Sequence, residues 1–260
     1  MYYQMFKKSV KKQLVYNWEV LFSCIISLFS MFMLACFWKA IYAHDIVNYK
    51  KMLQYAVIAQ LLGNMYYISA GDRLCGFIRD GSLSVELLKP CNVVVRLFAE
   101  NFGEIAVKII ISSIPTFILA SIVFRLKMIG PLNFVLFLIA IILSMVLLFL
   151  VKVCISTICF WIIEAGSFLI LINTVILLFS GQFMPSWLMP QFLKNIMEHL
   201  PFIWMYQKPI ELYQMNASNT DILLYFLKIV LMQGSWILLF TVLLHFIWKI
   251  AIKKVVVQGG

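Results

Sequence analysis

The sequence predicts an all-α integral membrane protein with six transmembrane helices, and three observations lead to this fold class. Hydrophobic residues make up 63% of the 260 residues, a share well above the usual composition of a soluble domain. Charged residues make up only 12%. The apolar residues form runs of the roughly 20 residues that a helix needs to cross a bilayer. By this criterion the spans lie near residues 20–42, 52–71, 103–124, 132–162, 166–181 and 222–248.

The N-terminal segment, residues 2–18, precedes the first span and predicts an amphipathic helix lying on the membrane surface. One helical side carries Tyr2, Phe6, Val10 and Leu14, and the other carries Lys7, Lys8, Lys11 and Lys12. The alternative is a basic tail surrounded by water. The apolar run after it is too long for a secretory signal peptide, so we expect the first span to be retained.

The basic residues are distributed unevenly along the chain, and this predicts the orientation. Lysines and arginines exceed acidic residues by 21 to 11, a formal charge of +10. Most of those outside the spans lie on the side of the two termini, so the positive-inside rule places both termini in the cytoplasm. We expect the excess charge to meet an anionic lipid membrane, and we expect no nucleic acid partner.

The loop between the second and third spans is the most polar stretch of the chain. Apolar residues recur in it at helical spacing: Leu74, Phe77, Ile78, Leu83 and Leu87. Gly81 interrupts this pattern, so we predict two short helices that end at Pro90. A short helix with one apolar and one charged side suits docking to a cytoplasmic partner. The alternative is a loop that only covers the ends of its own spans.

The apolar stretch from Leu132 to Ser180 is too long for one helix and must turn back once. The best turning point is Glu164-Ala165-Gly166, which pairs a charge with a helix-weakening glycine. The second half, up to Gly181, is short for a full crossing. It is either a re-entrant or broken helix that lines a polar cavity, or a tilted helix followed by an interfacial loop.

Catalytic and metal-binding patterns are not found in the sequence. Gly76 and Gly81 have the spacing of a phosphate-binding loop, but the Lys-Ser/Thr pair that should follow is replaced by Ser82-Leu83. The three histidines lie in different segments. The six cysteines contain no CxxC pair, so we interpret them as small apolar residues. Within the third span, Glu104 and Lys108 are four residues apart and can form an ion pair.

The chain resembles the ABC-2 type permeases of ABC transporters, and within them the subgroup first described as a domain of unknown function. The resemblance lies in the N-terminal amphipathic helix, the six spans, the Gly259-Gly260 end and the stretch from Ile78 to Asn92. That stretch reads Ile-Arg-Asp-Gly-Ser-Leu-Ser-Val-Glu-Leu-Leu-Lys-Pro-Cys-Asn. It is similar to the Ile-Arg-x-Gly-x-Leu-x-x-x-Leu-Leu-x-Pro-x-Asn pattern of the subgroup, with Cys91 where a small aliphatic residue is expected.

This resemblance implies a single permease domain over residues 1–260 that works with other proteins. It implies ATPase subunits in the cytoplasm that bind the ATP and magnesium, and a second copy of the chain or a paralogous permease as membrane partner. The implied activity is export of an amphipathic or hydrophobic drug, peptide or lipid across a bacterial plasma membrane. No catalytic residue and no cofactor are expected in the chain itself.

The resemblance also assigns roles to two groups of residues. The loop over 72–90 would contain the coupling helix that contacts an ATPase, through Arg73, Leu74, Phe77, Arg79, Asp80, Gly81, Leu83 and Leu87. Residues 182–213 would form an extracellular re-entrant hairpin. Candidate pathway or gate residues are Glu104, Glu164, Gln182, Pro185 and Phe202.

Two other function classes remain open at this point. An integral membrane enzyme or processing factor would have to use Glu104, Glu164 or the Glu198-His199 pair. A carrier driven by an ion gradient would be expected to show inverted repeats between its halves.

Overall fold

A computed structural model describes residues 2–14, 17–66, 68–126, 129–162 and 166–254 of the chain, and in these residues it contains helices but no strand. The α-helices in chain order are α1 Tyr2–Leu14, α2 Asn17–Ile41, α3 Ile46–Met65, α4 Ala70–Arg79, α5 Leu83–Leu87, α6 Val93–Lys108, α7 Ile114–Phe124, α8 Pro131–Ser156, α9 Gly166–Phe179, α10 Gln191–His199, α11 Gln207–Gln214 and α12 Asn219–Ala251. A π-helix over Ile109–Ser113 joins α6 to α7, and four 3₁₀ turns cover Thr157–Phe160, Ser186–Leu188, Phe202–Trp204 and Ile252–Lys254.

Four helical stretches in the described part of the chain are long and apolar enough to cross a membrane. They are Cys24–Ile41, Val93–Phe124, Pro131–Phe160 and Asn219–Lys254. They correspond to the predicted first, third, fourth and sixth spans. The predicted second and fifth spans correspond to α3, which carries Lys50 and Lys51 in its first two turns, and to α9. Helix α9 has 14 residues, about 21 Å against a hydrocarbon core of about 30 Å. That α3 and α9 cross the membrane stays a prediction.

The helix boundaries around the polar loop differ from those predicted. Helix α3 ends at Met65, so the prediction that the second span continues to residue 71 is wrong. Helix α6 begins at Val93, ten residues before the predicted start of the third span. Its start is fixed by the Asn92 side chain, which accepts hydrogen bonds from the backbone N–H groups of Val94 at 2.9 Å and Val95 at 3.3 Å. The apolar run over residues 103–124 therefore predicted the part of the helix that can lie in the hydrocarbon core, and missed its more polar first ten residues.

The π-helix over Ile109–Ser113 has a local cause in the sequence. Pro115 follows it in the first turn of α7 and has no N–H to donate to the carbonyl four residues earlier, which belongs to Ile111. The Cys24 thiol of α2 lies 3.8 Å from the carbonyl oxygens of Ile111 and Ser112. A proline and a thiol therefore account for the wider turn at this point of the third span.

The main core of the bundle lies where α3, α6 and α8 meet. Leu62, Leu97, Leu147 and Phe149 are each at most 1% exposed in it. Large apolar side chains on the outer faces of the long helices remain uncovered, for example Phe29 at 64% and Leu231 at 71% exposure. In a membrane-spanning chain these faces meet lipid tails instead of water.

Helix α1 confirms the predicted N-terminal helix over Tyr2–Leu14, and it packs along α6. A Cβ atom on Gly103 of α6 would lie 2.8 Å from the backbone oxygen of Phe6, so the close contact between the two helices depends on that glycine. The Ser9 hydroxyl donates to the Glu100 carbonyl at 2.8 Å. The predicted membrane-surface lysines Lys7, Lys8 and Lys11 are exposed, and the Lys12 side chain lies outside the described residues. Contact of this helix with a membrane surface stays a prediction.

Cys75 of α4 and Cys159 of the turn after α8 form a disulfide, with their Cα atoms 5.5 Å apart. The interpretation of all six cysteines as small apolar residues is therefore wrong for this pair. Spacing along the chain could not reveal it, because the two residues are 84 positions apart. They meet because Gly71 lets α4 approach the end of α8 closely: a Cβ there would meet Ser156 and the Lys152 backbone.

Candidate functional site

Two short helices form the charged loop, defined here as residues 70–92. The predicted pair is confirmed as α4 and α5, separated by Gly81. Gly81 has φ +69, a backbone conformation that a residue with a side chain rarely adopts. The loop folds back on the start of the third span, where Leu74 and Leu83 are buried in the main core. Its position is thus set by contacts with its own chain.

Arg73 of α4 ties the loop to the third span through two glutamates of α6. Its guanidinium lies 3.2 Å from a carboxylate oxygen of Glu100 and also forms an ion pair with Glu104. The Ser69 hydroxyl, just before α4, donates to the other oxygen of Glu104 at 2.8 Å. Glu104, a predicted gate residue, therefore serves here as an anchor for the charged loop.

Arg96 of α6 forms a second anchor and is only 4% exposed. It pairs with Glu86 of α5 and lies 3.8 Å from Glu100 one turn along α6. Its guanidinium also lies 5.7 Å from the centre of the Phe77 ring of α4, within the range of a cation–π contact. Lys89 pairs with Glu86 at 2.7 Å from the other side. One buried arginine thus joins α4, α5 and α6.

The pKa of Glu86 reflects these partners. Burial by itself would raise the pKa of this carboxyl, but the hydrogen bonds and charges of Lys89 and Arg96 outweigh burial and hold the pKa below the ordinary 4.5. Glu86 is therefore ionised at neutral pH.

The predicted docking residues divide into three groups in the structure. Leu74 and Leu83 are buried, Arg73, Phe77, Gly81 and Leu87 are partly buried, and Arg79 and Asp80 are exposed. The outer surface of the loop is completed by Val85, which is 58% exposed, by Leu88, which is 85% exposed, and by Lys89 and Pro90. We call these exposed residues the loop tip: Arg79, Asp80, Val85, Leu88, Lys89 and Pro90. Sequence reasoning did not single out Val85 or Leu88.

Three further candidate gate residues lie in the cap segment, defined here as residues 180–214. Gln182 lies against Gly63 of α3, Pro185 is buried, and Phe202 is partly buried against the main core. The Tyr55 hydroxyl of α3 donates to the Gly181 carbonyl at 2.6 Å and holds the start of the segment. Glu164 lies outside the described residues.

Gln207 organises the cap segment and was missed by sequence reasoning. It is fully buried, its side-chain oxygen accepts from the Ser186 N–H at 2.8 Å, and its side-chain nitrogen donates to the Ser186 hydroxyl and to Glu211 at 2.7 Å each. The same Glu211 pairs with Lys208 at 2.8 Å. A single glutamine gives no periodic pattern in the sequence. Its role becomes visible only when its hydrogen-bond partners are located in three dimensions.

The sequence profile of the family described as ABC-2 family transporter protein matches residues 24–259. The chain belongs to the ABC-2 transporter family. No curated protein and no solved structure shows significant similarity to it. Members of this family are membrane components of transporters that work with ATPase subunits and are not themselves catalytic. The chain is therefore a multi-pass membrane subunit of an ABC transporter.

Proposed function

We propose that the chain is the permease subunit of an ATP-driven exporter and that the loop tip docks on a separate ATPase, which binds the ATP and magnesium. The observation that carries this proposal is the pair of arginine anchors, Arg73 and Arg96. They join a solvent-exposed tip to the third span, so a displacement of the tip would move α6 instead of being absorbed within the loop. Helix α1 would move with α6, because the two pack closely at Gly103.

The rest of the proposal concerns assembly and direction. A second copy or a paralogous permease completes the pathway, both termini are cytoplasmic, and the membrane is a bacterial plasma membrane. The cargo is an amphipathic or hydrophobic drug, peptide or lipid. The apolar character of the bundle supports such a cargo over an inorganic ion, since burial of an ion in apolar surroundings is expensive.

Docking is tested by introducing a charge at the loop tip. Leu88→Arg should reduce copurification of the ATPase from host membranes about tenfold or more, because it places a charge in an apolar contact. The control is Val47→Arg, which alters a similarly exposed valine at the start of α3, 78% exposed and far from the loop. Equal copurification of the ATPase with both variants would contradict docking at the loop tip.

Coupling is tested separately from docking with Arg73→Gln. This variant removes the anchor to Glu104 but leaves the loop tip unchanged, so the ATPase should still copurify. Transport in proteoliposomes should fall because only the Arg96 anchor is left to carry ATP-driven movement to α6. Unchanged transport by a folded Arg73→Gln variant would mean that the anchor does not transmit the movement.

Orientation is tested by the redox state of the Cys75–Cys159 pair in living cells. The cytoplasm keeps most thiols reduced. Cys75 and Cys159 are bonded in the structure, but in a cytoplasmic loop they should be reduced. Cells quenched in acid and alkylated in denaturant should therefore yield both cysteines as modified thiols. Cys91, a free cysteine in the same loop, reports that alkylation was complete. A pair that stays protected while Cys91 reacts would place the loop on the oxidising side of the membrane.

A further inference from the structure

Cys75 and Cys159 join the charged loop to the fourth span, and helix packing brings the two residues together. Their Cα atoms lie 5.5 Å apart, within the usual range for a disulfide. Helix α4 packs along α8 and against the 3₁₀ turn that carries Cys159. This contact is close because Gly71, which has no side chain, faces the backbone oxygen of Lys152. The two sulfurs therefore remain neighbours when the bond between them is open.

Both cysteines are partly buried, so a small reagent in water can reach them. The proposed function places them on the cytoplasmic side of the membrane, where most thiols are kept reduced. Disulfides that form in that compartment are usually transient and serve catalysis or redox sensing. Members of this family are not themselves catalytic. A cysteine pair held at bonding distance on this side of the membrane therefore suits redox sensing.

The bond changes how α4 is held. Two residues before Cys75, Arg73 joins the same helix to Glu100 and Glu104 of the third span. These contacts are ion pairs, and the buried side chain of Leu74 adds packing. Contacts of this kind open and close locally in a folded protein. A bond at Cys75 adds a covalent link from the middle of α4 to the fourth span, and such a link does not open.

We propose that Cys75 and Cys159 form a redox-sensitive lock. As two thiols they let α4 move against the end of α8, and as a disulfide they fix the charged loop to the fourth span. The cytoplasmic location of the pair and its effect on transport rest on the function proposed above. The lock itself is a property of the chain and does not depend on ATP or on an ATPase.

The oxidant is a low-molecular-weight disulfide, for which oxidised glutathione is the probe. One cysteine thiolate attacks a glutathione sulfur, forms a mixed disulfide and releases one glutathione thiolate. The second cysteine thiolate attacks the protein sulfur of the mixed disulfide, the bond between the two cysteines forms, and the second glutathione thiolate leaves. Two electrons pass from the cysteine pair to glutathione, and the two thiol protons end on the released glutathione molecules. An excess of reduced glutathione reverses both steps.

The first measurement follows the bond in the full chain in lipid nanodiscs, without ATP or an ATPase. Samples equilibrated with mixtures of reduced and oxidised glutathione are quenched in acid, alkylated in denaturant and mapped by mass spectrometry. The pair should change from disulfide to two thiols as reduced glutathione increases. Cys91→Ser, which removes a free cysteine of the same loop, should leave this transition unchanged.

Two results of this measurement would overturn the proposal. A bond that survives a large excess of reduced glutathione in the folded chain would be a permanent structural disulfide. A pair that stays as two thiols in a large excess of oxidised glutathione would not be a redox site.

The second measurement follows the movement of α4. Hydrogen exchange of the backbone N–H groups of residues 73–80 should be about tenfold or more faster in the dithiol state than in the bonded state, because α4 can then open locally. Exchange in α10, which belongs to the cap segment, should be the same in both states. Cys75→Ser should exchange at the fast rate in both buffers, and Cys159→Ser replaces it if Cys75→Ser fails to fold. Equal exchange in the two states of the wild-type chain would overturn the lock.

Transport by the complex with its ATPase in proteoliposomes separates this proposal from the proposed function. Oxidised glutathione should lower transport by the wild-type chain severalfold, and an excess of reduced glutathione should restore it. Cys75→Ser should transport equally in both buffers, which controls for oxidation of the ATPase. A bonded chain that transports as fast as the dithiol form would overturn the regulatory role. Absence of transport in both redox states, with no ATPase copurified, would contradict the proposed function, and hydrogen exchange in nanodiscs would still decide the lock.

Discussion

The charged loop and the cap segment lie at opposite ends of α8 and are held in place by different forces. The charged loop, near Ser156, is fixed by arginine–glutamate pairs whose carboxylates remain partly accessible to water. The cap segment, near Asn133, is fixed largely by neutral amides that bond to backbone groups: Asn133 donates to the Leu212 carbonyl at 3.3 Å, and Gln207 accepts from the Ser186 N–H. The strength of an ion pair depends on salt and pH, and its partners can shift against each other without losing their attraction. Hydrogen bonds of buried side-chain amides depend little on salt and are lost when the partners shift. We therefore expect the charged loop to be the end that moves and the cap segment to be the end that stays fixed.

Removal of the buried arginine should have the largest effect. Arg96→Met leaves Glu86 and Glu100 without their shared cation and should lower the free energy of unfolding by about 3–5 kcal/mol, the usual result of breaking a buried pair. Thermal unfolding in detergent micelles measures this loss of stability. Arg79→Met is the matched control, because this side chain is 70% exposed and its pair with Asp80 contributes about 0–1 kcal/mol. Equal losses in the two variants would show that Arg96 is not an anchor.

Removal of the central amide of the cap segment should have the next largest effect. Gln207→Leu leaves the Ser186 N–H and its hydroxyl without a partner in a buried site, which should cost about 2–3 kcal/mol. Unlike the effect of Arg96→Met, this loss should be the same in low and high salt, since it involves no pair of full charges. Gln191→Leu, on the exposed surface of α10, should change stability little. A salt-dependent loss for Gln207→Leu would remove the distinction between the two ends.

Loss of close contact between α1 and α6 should have a smaller effect. Gly103→Ala forces a methyl group against the Phe6 backbone oxygen and the Ser9 side chain, at a cost of about 1–3 kcal/mol. Hydrogen exchange of the backbone N–H groups of residues 4–11 should speed up. Gly76→Ala in α4 is the control, since nothing lies within 4 Å of the added Cβ and alanine favours a helix there. Unchanged exchange in Gly103→Ala would mean that α1 does not depend on this contact.

Much of the helical architecture could be predicted from the sequence, because lipid imposes a length on every spanning helix. The runs near residues 20–42, 132–162 and 222–248 correspond to long helices within a few residues of those bounds. The two short helices of the loop followed from the spacing of Leu74, Phe77 and Leu83 and from the break at Gly81. The local sequence was therefore sufficient to predict those helices that depend mainly on their own residues.

The parts that sequence could not predict depend on contacts between distant stretches. The Cys75–Cys159 bond and the pair of Arg96 with Glu86 exist because α4 and α5 fold back on α6 and α8, and neither gives a periodic signal. The docking prediction included Leu74 and Leu83 because apolar spacing marks a helix face, yet these two side chains pack into the chain's own core. Exposed apolar residues such as Leu88 become visible only when burial is known.

The smallest expected effect concerns the pH response of the charged loop. The pKa of Glu86 is held below 4.5 by Lys89 and Arg96. A lowered pKa means that ionised Glu86 stabilises the fold above pH 4.5 and that this contribution is lost as the pH falls through the lowered value. Glu86→Gln should thus reduce thermal stability at pH 7 by only about 1 kcal/mol, because the glutamine oxygen can still accept a hydrogen bond from Arg96 and Glu100 still faces its charge. The gap to the wild type should close in acid. The cap variant Asn133→Leu, which removes an amide that donates to backbone carbonyls, should differ from the wild type equally at both pH values. A gap for Glu86→Gln that persists well below pH 4.5 would mean that shape and packing, and not charge, hold the loop to α6.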